Sequence, residues 1–147
     1  MSLHEYRFRT SWHVAAPAEL VFREVTDVSG YPRWWPDVRS VLRLDDDTAE
    51  VVCRAMLPYR IVIRLHRVEE DPDAGRLCVR LTGDLDGSLR AWVREHADGT
   101  VLEIVQEVVA RKPLLRWCAL VARPVFRLNH AVMMNRGHRG LRAHLAP

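Results

Sequence analysis

His130 stands beside Asn129 in an apolar row that Phe126 and Met133 form at helical spacing. An imidazole in that position can move a proton, although a lone histidine on an apolar face more often satisfies a neighbour in the core. Tyr59 is the second candidate for proton transfer and the safer polar group for a cavity, because its hydroxyl can reach inward while its ring packs. Asn129 either takes part beside His130 or bonds backbone or sheet. Gln106 enters through a hairpin. With Asp98-Gly99 as the two turn residues, Arg94 faces Glu103, Arg90 faces Glu107, and Ala91 stands opposite Gln106 on the inner side. A small residue beside an inward amide leaves a hole containing a hydrogen-bonding group, which suits a ligand; a neighbour or a buried water would satisfy the amide equally well.

Arg54 depends on register. If Leu57-Pro58 is a two-residue loop, Arg54 faces Ile61 and lies inside, where it demands an anionic ligand group. A one-residue bulge beside the proline, slightly favoured, returns Cys53 and Ala55 to the core and Arg54 to water. His66 alternates away from Tyr59, Ile61, Ile63 and Leu65 and faces solvent. The sequence has no Gly-rich phosphate loop, GxSxG elbow, HExxH or acidic cluster with ligand spacing, so no metal and no cofactor are expected. His138 and His144, with arginines between them, have the spacing of a solvated helix end, and Arg136, Arg139 and Arg142 follow the helix-dipole preference.

These groups belong to a chain of 147 residues with a formal charge of +3, which fits one domain over 1–147 with one core. Lys112 is the only lysine, and 19 acidic residues are interspersed among the arginines, a mixed surface that argues against nucleic acid as partner. Cys53, Cys78 and Cys118 lack metal or CxxC spacing and read as small buried hydrophobes in a reducing cytoplasm. No apolar run reaches the ~18 residues of a membrane span. A cytoplasmic monomer or homodimer is expected.

The positioning elements are mostly strands. Residues 6–14 alternate, Ala16-Pro17-Ala18-Glu19 opens a helix carrying Leu20, Val21, Val25 and Val28, and Ser29-Gly30 closes it. The stretch GYPRWWPD reads as a stiff turn, because each proline biases the residue before it, Tyr31 and Trp35, toward extended geometry. Trp35 is expected to plug the core or rim a cavity mouth and Trp34 to pack outside. Strands follow over 38–44, 48–56, 59–69 and 76–82, then the hairpin, in an antiparallel sheet. From Pro113 onward one long helical pattern carries two apolar faces. Leu114, Trp117, Cys118, Val121, Val125, Leu128 and Val132 form one; Phe126, Met133, Leu141 and Leu145, with His130, form the other. Pro124 should kink this helix. A helix with two apolar faces is covered on both sides or lines a cavity.

The stretches WHVAAPAELVFREVTDVSGYPRWWPDV, LPYRIVIRL and ARPVFRLNHAVMMNRGHRGLRAHL resemble the START-like superfamily, also called SRPBCC or Bet v 1-like, and within it the polyketide cyclase/dehydrase-like branch. The resemblance covers nearly the whole chain. It implies an α+β helix-grip fold: a seven-stranded, curved antiparallel sheet around a long C-terminal helix, short helices after the first strand, and an apolar tunnel between sheet and helix. The fold hosts aromatase/cyclases, lipid carriers and hormone receptors, so it does not decide function.

Three functions are weighed on these residues. The leading one is binding of a small hydrophobic ligand, aromatic, polyketide-like or lipid-like, at Trp35, Arg54, Tyr59, Ile61, Ile63, Ala91, Gln106, Val125, Asn129 and Met133. The second is a cyclase or aromatase using His130 or Tyr59 for proton transfer. The third is a protein-interaction module presenting Trp92 and the basic helix end.

Overall fold

The alternation that starts at Tyr6 becomes strand β1 (Glu5–Val14) in the computed structural model, with Tyr6, Trp12 and Val14 buried and Arg7, Arg9 and His13 exposed. The structure describes residues 5–56, 60–110 and 119–146, excepting the side chains of 119–122. Tyr59, the Leu57-Pro58 loop, Leu114, Trp117, Cys118 and the side chain of Val121 lie outside the described residues. Pro17 precedes helix α1 (Ala18–Thr26), whose buried residues are Val21, Phe22 and Val25. Strands β2 (Val38–Arg43), β3 (Thr48–Cys53), β4 (Ile61–Asp71), β5 (Arg76–Gly83), β6 (Leu85–His96) and β7 (Gly99–Ala110) follow, then helix α2 (Ala119–His144). All seven strands form one antiparallel sheet in the order β1-β7-β6-β5-β4-β3-β2. This is the α+β helix-grip architecture. Its core lies on the concave face, where Leu77, Val79, Leu81, Val93, Leu102 and Ile104 meet α1 and α2.

The β6–β7 hairpin departs from expectation by two residues. His96 pairs with Gly99, so the loop is Ala97-Asp98, with Ala97 at φ 49°. Gly99 serves another need, since a Cβ there would lie 2.5 Å from the Val14 carbonyl oxygen of β1. Because a slip of two preserves the period of a strand, every side chain keeps its expected face while its partner changes. Ala91 now faces Ile104, and Gln106 faces Leu89. The Arg90–Glu107 and Arg94–Glu103 ion pairs persist as diagonal contacts at 3.1 and 3.6 Å.

The stretch between α1 and β2 also differs. Val28–Arg33 is a 3₁₀ helix that contains Pro32, and the Tyr31 carbonyl accepts from the N–H of both Trp34 (3.1 Å) and Trp35 (2.8 Å). Proline's fixed φ suits this tighter helix, and these bonds outweigh the extended bias on Tyr31. The Tyr31 hydroxyl donates to the Val25 carbonyl and so locks the segment to α1.

Pro124 sits inside α2 without ending it. Past the proline the buried face is Phe126, Asn129, Met134, Gly137 and Leu141, whereas Val125 and Leu128 are 46% and 53% exposed. Of the two expected rows, the one with Phe126 and Leu141 is buried, and in the other the described Val125 and Leu128 face outward. Aromatic and glycine contacts decide the face: Phe126 meets the Tyr6 ring edge-on at 4.4 Å, and the glycines admit the tryptophans described next.

Candidate functional site

Trp34 is buried, against the expectation that it packs outside, and Trp35 is half-buried against the core. The 3₁₀ helix turns both toward α2, where two glycines receive them. A Cβ at Gly140 would lie 1.6 Å from the Trp34 carbonyl oxygen, and one at Gly137 would lie 2.5 Å from Trp35 Cε2. The Trp35 indole Nε1 donates to the Met133 carbonyl at 2.9 Å. Asp37, fully buried, accepts from Arg136 Nη1 at 2.8 Å, and its backbone carbonyl accepts from the Arg54 N–H at 2.9 Å. The tryptophan pair and Asp37 thus fasten the C-terminal half of α2.

The other half of α2 carries His130. Its ring lies flat on Phe8, with centroids 3.6 Å apart at 11°, and its Nε2 is 2.6 Å from Gln106 Oε1. An amide oxygen only accepts, so Nε2 carries the proton and Nδ1 keeps the lone pair. Burial, with a smaller push from the Arg127 guanidinium, lowers the imidazole from 6.5 to about 4. The ring is neutral near pH 7, and a base this weak is poorly matched to proton abstraction there. Gln106 has the neighbour that satisfies its oxygen, and among the described residues its amide N–H groups have no partner.

Phe8, Gln106, Leu89 and Val79 pair in succession across β1, β7, β6 and β5. The first three point inward but are only half-buried, as are Ile63 and Leu65 on β4, while Tyr6, Ile104, Val108, Ala91 and Val93 beside them are buried. Partial exposure of Gln106, Leu89, Ile63 and Leu65, inward-facing on central strands, means that the space above them is not filled by the described side chains. A groove of about 520 Å³ opens between β1 and α2, with Phe8, Trp12, His130 and Met134 in its wall.

The remaining candidates scatter. Cys53 pairs with Ile61, both are buried, and Arg54 is exposed, so the inward arginine does not occur. Val125 is exposed. Ala91, 1% exposed, lies in packed core, diagonal to Gln106 and not opposite it. Asn129 is buried and its Oδ1 accepts from the Met56 N–H at 2.8 Å, tying the segment after β3 to α2. Met133 is half-buried and Trp35 bonds its carbonyl. Trp92 is half-buried under the Arg90 guanidinium, 5.8 Å from its ring. Among the described residues no group of three His, Cys, Asp or Glu side chains could hold a metal ion, and no helix is long and apolar enough to cross a membrane.

The sequence from residue 5 to residue 146 matches the family model described as polyketide cyclase / dehydrase and lipid transport. The chain belongs to that family. Solved structures agree on the fold. The aromatase/cyclase Zhui from Streptomyces sp. R1128 superposes with a TM-score of 0.82 at 16% identity, over 97% of this chain and 94% of that one. A START superfamily protein from Mycobacterium smegmatis gives 0.76 at 15% identity, over 95% and 96% of the two chains. Ginseng major latex-like protein 151 from Panax ginseng gives 0.74 at 6% identity, over 98% and 99%. No curated protein matches the sequence.

Within this polyketide cyclase/dehydrase and lipid transport fold, sequence reasoning did not single out Phe8, Leu89, Asp37, Gly137 and Gly140, and it read Arg136 only as a helix-dipole charge, not as the partner of Asp37. Alternation put Phe8 and Leu89 on the inner face, which was the available signal for them. The glycine pair three apart on a helix, with a tryptophan pair elsewhere, was a signal of close packing that carried no address.

Proposed function

We propose that the chain binds a small hydrophobic ligand between the concave face of the sheet and α2, over Ile63, Leu89 and Phe8, with the free N–H groups of Gln106 orienting a carbonyl or hydroxyl oxygen. The half-buried state of Gln106 and Leu89, inward-facing on central strands, carries this reading, with Phe8 beside them on edge strand β1. Membership of a family described by cyclase, dehydrase and lipid transport roles supports a ligand of polyketide or lipid character. Proton-transfer catalysis by His130 draws less support, because its Nε2–H is committed to Gln106 and its basicity is low. Native mass spectrometry of the purified protein should reveal a bound small molecule, or the emptied protein should enhance the fluorescence of 1-anilinonaphthalene-8-sulfonate. An unliganded mass together with no fluorescence response would overturn the reading.

A further inference from the structure

The groove between β1 and α2 is rich in unmatched positive charge. Many arginines elsewhere meet carboxylates, Arg67–Asp47 at 2.7 Å, Arg76–Glu69 at 3.2 Å and Arg64–Glu50 at 3.5 Å, and the other acid-free arginine group, Arg39, Arg54 and Arg60, has no half-buried inward row beside it. The groove wall holds the cations Arg7, Arg9 and Arg127 and no carboxylate. Arg7 reaches Glu107 only at 3.9 Å, and among the described residues neither Arg9 nor Arg127 is paired with an acid. Charge on an exposed edge strand deters pairing with another strand, which accounts for Arg7 and Arg9. It does not account for Arg127, which belongs to α2.

Arg127 is held in a useful attitude. Its guanidinium lies 5.8 Å from the centroids of both Tyr6 and Phe8, so the rings support one side of the cation while its N–H edge stays available. Phe8 also carries the His130 ring, and His130 bonds Gln106. A chain of contacts therefore runs from Arg127 at the rim through Phe8 and His130 to the amide of Gln106, which pairs with Leu89 on β6. Apolar surface inside and unmatched positive charge at the entrance fit a molecule with an apolar body and an acidic end. A planar guanidinium edge matches a carboxylate or phosphate with two parallel hydrogen bonds.

We propose that the ligand is an amphipathic acid, its apolar body on the half-buried row and its carboxylate or phosphate head on Arg127, with Arg9 adding charge at the rim. This rests on the ligand-binding reading above. Titration calorimetry with dodecanoate, dodecyl phosphate and dodecanol tests both, each kept below its micelle concentration. The acids should bind at least about tenfold more tightly than the alcohol. In Arg127→Gln the acids should fall to within about threefold of the alcohol, whereas Arg94→Gln, which removes an arginine paired with Glu103 on the opposite face, should keep the preference. Tighter binding of dodecyl phosphate than of dodecanoate would assign the head to a phosphate, and the reverse order to a carboxylate. Dodecanol binding as tightly as the acids, or a preference that survives Arg127→Gln, would overturn the acidic head and leave the binding reading standing. Absence of binding by all three would overturn both.

Discussion

From Met133 to Leu145, α2 is fastened to the Trp34-Trp35 segment by an indole hydrogen bond, a buried carboxylate and two glycine contacts, whereas from Phe126 to His130 it meets the sheet through rings above a half-buried floor. The two halves share one helix but not one kind of packing. At the fastened end, side chains and backbone interlock and a methyl group has no room. At the other end, inward-facing Phe8, Gln106 and Leu89 keep partial exposure, and outward-facing Val125 and Leu128 are bare. The difference separates two tasks that a helix-grip protein must combine. One end of the helix fixes the geometry of the grip so that the other can border unfilled space without collapsing into it.

The fastened end breaks most readily at Gly140. Its Cβ would fall 1.6 Å from a backbone oxygen, which cannot rotate aside, so Gly140→Ala should cost about 3–5 kcal/mol in urea denaturation or prevent folding outright. Gly137→Ala meets a side chain at 2.5 Å, which can shift, and should cost only about 1–2 kcal/mol. Equal costs at the two positions would mean that the Trp34 backbone is not fixed against α2. Next in size is Arg136→Ala, which leaves the Asp37 carboxylate buried without its cation. About 2–3 kcal/mol should be lost, and adding Asp37→Asn should recover part of it by removing the stranded charge.

The fold was more legible than these contacts. Period-two alternation identified the strands, and it survives a slip of two, so the faces of β6 and β7 were readable although their partners were not. The partners were unreadable because Gly99 has two uses, a turn or a close approach, and only the position of Val14 decides between them. Which tryptophan is buried turned on the 3₁₀ geometry of Val28–Arg33, a matter of two shared bonds to the Tyr31 carbonyl that no local preference announces. On α2 the spacing offered two apolar rows without ranking them, and the buried one, with Phe126 and Leu141, follows the rings of Tyr6 and Phe8 and the indoles of Trp34 and Trp35, all distant in sequence. His130 and Gln106 were each marked as inward polar groups. That they bond each other depended on the true register, which sets Gln106 between Phe8 and Leu89.

The open end carries a pH signature at His130. His130 titrates near 4 in the fold against 6.5 ordinarily, so on acidification the unfolded chain takes up the proton first. Stability present above pH 6.5 should drain away as pH falls toward 4, amounting to about 1–2 kcal/mol by pH 5. His130→Phe, which keeps a flat ring on Phe8, should remove that part of the acid sensitivity. Urea midpoints at pH 7.5 and pH 5 for the two proteins measure it. An unchanged acid slope in the variant would show that His130 is not the group held neutral.

The smallest expected effect on stability is also the sharpest test of the comparison. Ala91 and Leu89 lie two residues apart on β6, on the same face, one fully buried at 1% exposure and the other half-buried on the open floor. Enlarging a side chain in filled core forces neighbours off their rotamers, so Ala91→Leu should cost about 1–3 kcal/mol. Leu89→Trp adds far more volume, yet the space above it can take an indole, and the cost should stay below about 1 kcal/mol. The same indole would occupy the room proposed for a ligand, so enhancement of 1-anilinonaphthalene-8-sulfonate fluorescence should fall at least about fivefold in Leu89→Trp while Ala91→Leu leaves it intact. If the tryptophan instead costs as much as the enlarged alanine, the floor is packed like the rest of the core, and the contrast between the two ends of α2 disappears.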